Sequence, residues 1–209
     1  MSNDIENSEN IKSCIILCGG KSSRMGQDKG SMIIQDQPMI KHILTTLNHQ
    51  INEAVIVLND RKRIEKYSEF INPQDYTYKI NFVEDKIKDK GPMPGIMTGL
   101  YEITGDYALI LPCDSPYVSK NYINTIFEEI DKDYQAIVPY HDDENKLRTS
   151  EPLHSIYNKS IIPEIESLIS NDILHIKGLI EKIDTKFVLI DNKKIEKKEF
   201  RNLNRPQDV

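Results

Sequence analysis

The stretch Ser13-Cys14-Ile15-Ile16-Leu17-Cys18-Gly19-Gly20 sets the architecture of this chain. It is a near-continuous apolar run of strand length that stops in two glycines. A run without polar alternation suits a strand covered on both faces, as in a parallel sheet. Glycines directly after such a strand let backbone N–H groups approach an anion without side-chain interference.

The pattern repeats outward from there. Ala54 to Leu58 is a second buried-strand run, Ile80 to Val83 a weaker third, and Tyr107 to Leu111 a fourth, stopped by Pro112. Pro38 starts a helical stretch that puts Met39, Ile40, Ile43, Leu44 and Leu47 on one face. Met93 to Ile103 forms a helix reached through Gly91-Pro92, with two internal glycines that permit close packing. Tyr122 to Ile130 reads as helix, Ala136 to Val138 as strand, and His141 to Ser150 as a hairpin or excursion. A strand-like segment from Leu153 to Tyr157, two short helices and a strand near Phe187 to Ile190 complete the series.

Strands alternating with helices predict a single-domain, doubly wound α/β fold with a mostly parallel sheet. Right-handed crossovers then bring the loops beginning at Cys18, Asn59, Glu84 and Pro112 to one edge, where such folds bind ligands. The domain is expected over residues 11–209, and residues 1–10 (MSNDIENSEN) as a disordered polar tail.

Composition narrows the function classes. The 209 residues are 38% hydrophobic and 29% charged, ordinary values for a folded domain. A net charge of −6 disfavours broad electrostatic capture of nucleic acid, which needs a basic surface; it leaves room for a local basic pocket. No apolar run of membrane-spanning length exists, and the polar start has no signal-peptide core. Three cysteines, Cys14, Cys18 and Cys113, make neither a disulfide framework nor a CxxC site. The chain reads as a cytoplasmic protein.

The loop Leu17 to Lys29 carries the most chemistry, because Lys21, Arg24 and Lys29 add charge around the glycines. It is not a Walker loop, since a Gly20-Lys21-Ser22 ending would require glycine where Ile15 stands, and it lacks GxGxxG. Asp114, fixed at a strand end between Cys113 and Ser115-Pro116, suits Mg2+, which prefers one or two carboxylates with phosphate oxygens and water. The bland alternative is a turn aspartate. Asp85 has a weaker case, since it lies in a charged stretch where a solvated charge is the bland alternative. Asn59 is a candidate for a base or ribose contact, or a helix cap. Asn202 and Asn204, two apart, would face one way in an extended segment, or else form turns before Pro206. Five histidines without HxH or HExxH spacing disfavour a zinc site, and Ser22 and Ser23 have no recognisable histidine partner.

Taken together, LCGGKSSRMGQDK resembles the LxGGxSxRMGxDK signature of the molybdenum cofactor guanylyltransferases, within the nucleoside-triphosphate transferase superfamily. Four more stretches are similar in order. Phe82 to Asp85 with Gly91 to Ile96 resembles the acidic residue and GPLAGI segment, and Leu111 to Pro116 the PCDxP metal motif. Glu151 to Tyr157 resembles PLxALY, and Phe200 to Asp208 resembles FxNxNTPED. Cys18 stands where the family usually has alanine, and Arg205 where it has threonine.

The resemblance implies a Rossmann-like nucleotidyltransferase fold and GMP transfer from GTP to the phosphate of molybdopterin, with Mg2+ on Asp114. It implies that Leu17, Cys18, Gly19, Gly20, Lys29, Asn59, Asp85 and Asp114 bind the nucleotide. Arg24, Lys29 and Asp114 would carry catalysis, and Asn202 and Asn204 would hold the acceptor. Transient contact with cofactor-delivering or cofactor-accepting proteins follows from the same resemblance. Two alternatives stand beside it: another base or acceptor (cytidylyl transfer to molybdopterin, a sugar phosphate or phospholactate), and a nucleotide-binding regulator without catalysis.

Overall fold

The computed structural model describes residues 11–19, 28–88, 90–141, 145–190 and 195–203. A seven-stranded sheet runs through it in the order β5-β4-β1-β6-β8-β7-β9. At its centre β1 (Ser13–Leu17) lies parallel between β4 (Glu53–Leu58) and β6 (Tyr107–Pro112), and β5 (Lys79–Glu84) forms the parallel edge beyond β4. Beyond β6, β8 (Ile156–Asn158) runs antiparallel to both β6 and β7 (Ala136–Tyr140), and β9 (Thr185–Leu189) pairs parallel with β7. A separate two-residue hairpin joins β2 (Ile33–Ile34) to β3 (Gln37–Pro38) through Gln35 and Asp36, both in the left-handed region.

Helices cover both faces, which explains why the central strands lack polar alternation. Along β1, Cys14 and Ile16 point to one layer, with Ile40, Ile43, Leu44 and Leu47 of α1 (Met39–Leu47), Tyr67 of α2 (Arg61–Phe70) and Ile123 and Ile126 of α4 (Lys120–Glu128). Ile15 and Leu17 point to the other, with Ile96 and Leu100 of α3 (Met93–Glu102), Ile165 and Leu168 of α5 (Ile162–Ser170) and Leu179 of α6 (Ile176–Ile180). Each fully buried aliphatic side chain contributes on the order of 1.5–3 kcal/mol. The expected close packing of α3 is present: a Cβ on Gly99 would lie 2.5 Å from Ile15 Cγ2.

One expected strand is shorter than its sequence suggests. Pro152–His154 forms a 3-10 turn, because Pro152 supplies no N–H and fixes its own φ, so pairing starts only at Ile156. Helix α2 and the β2–β3 hairpin are additions to the sequence reading. Among the described residues no helix is long and apolar enough to cross a membrane.

The chain passes from β1 to β4 and β5 on one side, then returns to β6 on the other. The topological switch therefore lies between the ends of β1 and β6, the place where doubly wound sheets open a ligand crevice.

Candidate active site

A cavity of about 470 Å³ opens at that switch point, within the usual range of small-molecule sites. Leu17, Cys18 and Gly19 reach it from β1, Asn59 from β4, Asp85 from β5 and Asp114 from β6, with Lys29 and Asn202 closing the rim. Gly20, Arg24 and Asn204, also singled out in the sequence, lie outside the described residues.

Each wall is held by its strand. Cys18 N–H donates to Val57 O at 2.9 Å, which prolongs the β1–β4 ladder into the loop. Asn59 is not the helix cap: that role falls to Asp60, whose side chain accepts from Arg63 N–H at 2.9 Å. Asp85 N–H donates to Leu58 O at 2.8 Å, and its carboxylate accepts from Ile87 N–H at 3.1 Å and Thr98 Oγ1 at 3.4 Å. Burial pushes the Asp85 carboxyl above the ordinary aspartate range, against these hydrogen bonds and the charge of Lys88.

Asp114 is bonded to two other parts of the cavity wall. Its carboxylate Oδ2 lies 2.8 Å from Lys29 Nζ, and its carbonyl accepts from Leu203 N–H at 2.8 Å. Ser115 Oγ donates to Asn202 Oδ1 at 2.5 Å. Phe200 anchors this closing segment, packing edge-on against Tyr122, His141 and His154 at ring separations of 5.0–5.2 Å.

Sequence reasoning missed the support behind Lys29. The carboxylate of Asp28 is gripped by the Arg63 guanidinium and by the Tyr67 hydroxyl, the latter at 3.0 Å. Asp28 Oδ2 and Arg63 Nε remain buried without a hydrogen-bond partner among the described residues. Asp28 stands inside the quoted loop motif, the one signal that pointed to it. Beside this group the thiols of Cys18 and Cys113 contact each other, both reduced, and burial raises the Cys18 thiol well above its ordinary range.

The donor chemistry fits a hard divalent cation of the Mg2+ type. Such an ion takes oxygen ligands and needs only one or two protein carboxylates when phosphates supply the rest. Asp114 offers one at a strand end, and no cluster of three His, Cys, Asp or Glu side chains suited to zinc occurs among the described residues.

Comparisons with known proteins bear on the family and the fold. Residues 14–185 match the family model described as the MobA-like NTP transferase domain. A probable molybdenum cofactor guanylyltransferase of Methanothermobacter thermautotrophicus is 32% identical over 95% of this chain and 98% of its own length. The molybdenum cofactor guanylyltransferase of Aliivibrio salmonicida is 32% identical over 93% of this chain and 92% of its own. The crystal structure of molybdopterin-guanine dinucleotide biosynthesis protein A from Archaeoglobus fulgidus superposes with a TM-score of 0.73 at 25% identity, covering 95% and 94% of the two chains. Matched by that model over residues 14–185 and by these relatives along nearly its whole length, the chain belongs to the MobA-like NTP transferase family.

Proposed function

We propose that this protein transfers GMP from GTP to the terminal phosphate of molybdopterin, releasing pyrophosphate and forming the guanine dinucleotide cofactor. The observation that carries the reading is the convergence on one cavity of Gly19, Asn59, Asp85 and Asp114 from the loops after four strands, joined by Lys29 and Asn202.

The acceptor phosphate is already an anion and a competent nucleophile, so no strong general base is needed. The protein's work is positioning and charge neutralisation. Leu17, Cys18 and Gly19, with Gly20 beyond them, present backbone to the purine, and Asn59 and Asp85 hydrogen-bond base and ribose. Lys29, with Arg24, offsets the charge that develops on pyrophosphate. Asp114 holds Mg2+, which when bound supplies Lewis-acid polarisation of the phosphoryl oxygens. Asn202 and Asn204 offer amides to the pterin side. The reaction is cytoplasmic, and the cofactor reaches and leaves the site through transient contact with delivering and accepting proteins.

The test is incubation with Mg2+ and each of GTP, CTP and ATP together with molybdopterin, following pyrophosphate and the dinucleotide. A pocket whose polar groups match guanine should favour GTP by about a hundredfold in kcat/KM. Equal use of CTP would reassign the base, and absence of pyrophosphate with every nucleotide would leave a binding protein without catalysis.

A further inference from the structure

Lys29 and Asp114 are far apart in the chain, yet Nζ of one lies 2.8 Å from Oδ2 of the other. Their side chains are 29% and 13% exposed, so solvent shields the pair only partly. The backbone beneath Lys29 is fixed. Asp28 is clamped by Arg63 and Tyr67, and Met32 N–H donates to Lys29 O at 3.0 Å. What can move is the ammonium, on a four-carbon stem. That ammonium sits on the oxygen a divalent cation would take. Two cations cannot share it cheaply in a partly shielded pocket, because like charges a few ångströms apart repel strongly there.

We propose that Lys29 is the exchangeable counter-ion of Asp114: it neutralises the carboxylate in the nucleotide-free protein and yields it to the metal when a triphosphate arrives to receive the ammonium. The inference rests on the reading of Asp114 as the metal carboxylate. Its consequence is coupling. The metal binds poorly alone, the nucleotide brings it in, and by linkage each raises the affinity of the other by the same factor.

The test measures protein-bound Mn2+ by equilibrium dialysis, with and without a GTP analogue carrying a methylene between its α and β phosphorus atoms, each corrected for Mn2+ chelated by the free analogue. Wild type, Lys29→Met, Asp114→Asn and the double variant are compared, with Lys29→Gln as a second neutral replacement and circular dichroism as the fold control. Without nucleotide, both Lys29 variants should bind Mn2+ roughly tenfold more tightly than wild type. The double variant should lose that gain, and wild type alone should show strong enhancement by the analogue. If the Lys29 variants match wild type within about twofold while Mn2+ binding with the analogue still needs Asp114, the exchange is wrong and the metal reading survives. If Asp114→Asn leaves Mn2+ binding with the analogue untouched, both fall.

Discussion

A Cβ added to Gly19 would stand 2.8 Å from Oδ1 of Asn59, a separation that real Cβ atoms essentially never show. Gly19 has no positive φ among those observed, so the demand for glycine here is one of space rather than of backbone conformation. The end of β1 and the end of β4 thus meet through one side chain. Gly19→Ala should displace the Asn59 amide, weaken GTP binding by about tenfold or more through the loss of its hydrogen bonds, and leave the melting temperature nearly unchanged. Calorimetry with Mg2+–GTP measures the first and a thermal scan the second. Unaltered GTP affinity would remove Asn59 from the nucleotide contact.

Asp85 should show a trade between stability and function. Burial raises its carboxyl above 3.8 in the folded protein, so the charged form is disfavoured there. A raised folded value means that its contribution to stability is fully present below the unfolded value and is lost as pH rises through the folded one. At pH 7 the charge is therefore a cost. Asp85→Asn keeps an Oδ1 for Ile87 N–H and Thr98 Oγ1, so it should raise the melting temperature at pH 7 by about 3 °C and weaken GTP binding. The stabilisation should vanish near pH 4. A fall in melting temperature at pH 7 contradicts the argument.

His154 predicts a weakness toward acid. It is 2% exposed, neither ring nitrogen has a hydrogen-bond partner among the described residues, and burial with the nearby His141 holds its pKa down to about 3. The folded protein keeps the ring neutral, whereas the unfolded chain takes up a proton below about 6.5. Stability is full above that value and drains as pH falls toward 3. At pH 5 the loss from this one ring is about 2 kcal/mol. Glu151, hydrogen-bonded to His141 at 2.9 Å and raised by burial, works in the opposite direction, so the wild type must be compared with His154→Leu. Urea unfolding at pH 7 and pH 5 should show the variant losing about 2 kcal/mol less between the two. Equal losses would sink the assignment.

Much of this organisation is legible in the sequence because burial leaves a trace there. β1, β4 and β6 are covered on both faces, so their runs are apolar at successive positions. Asp85 stands directly after β5 and Asp114 two residues after β6, where topology alone brings them to one edge. Helix α2 is illegible for the opposite reason: only Tyr67 of its ten residues is buried, so no apolar face marks it in the sequence. The grip of Arg63 and Tyr67 on Asp28 depends on how that helix packs over the loop, a relation between positions 35 and 39 residues apart that no local pattern encodes. The two-residue strands β2 and β3 are too short to show any alternation.

Asp114→Ala tests the reaction itself. The side chain is 13% exposed, and of the other cavity carboxylates Asp28 is held by Arg63 and Tyr67 while Asp85 accepts from Ile87 N–H and Thr98 Oγ1. In its proposed role as the metal's ligand, its removal should cost several kcal/mol of transition-state stabilisation, a loss on the order of a thousandfold in kcat. The fold should persist, because the main-chain bond from Leu203 N–H uses the Asp114 carbonyl and not its side chain. Pyrophosphate release by the folded variant at more than about a tenth of the wild-type rate would take Asp114 out of the metal role.

The closing segment should separate acceptor from nucleotide. Asn202 is tied to the loop after β6 by Ser115 Oγ at 2.5 Å, and Leu203 by the Asp114 carbonyl at 2.8 Å. The second bond is main chain to main chain, so Asn202→Ala leaves it in place while removing the amide from the cavity mouth. GTP affinity should stay within about twofold of wild type, and KM for molybdopterin should rise about tenfold, the worth of one or two hydrogen bonds. Ser115→Ala should give a weaker version of the same change, because it removes one bond that orients the Asn202 amide without deleting the amide. Steady-state kinetics with each substrate varied in turn, alongside calorimetry with Mg2+–GTP, distinguishes the two effects. If Asn202→Ala loses GTP affinity as severely as Asp114→Ala loses turnover, the segment serves the nucleotide, and the acceptor must be held elsewhere on the rim.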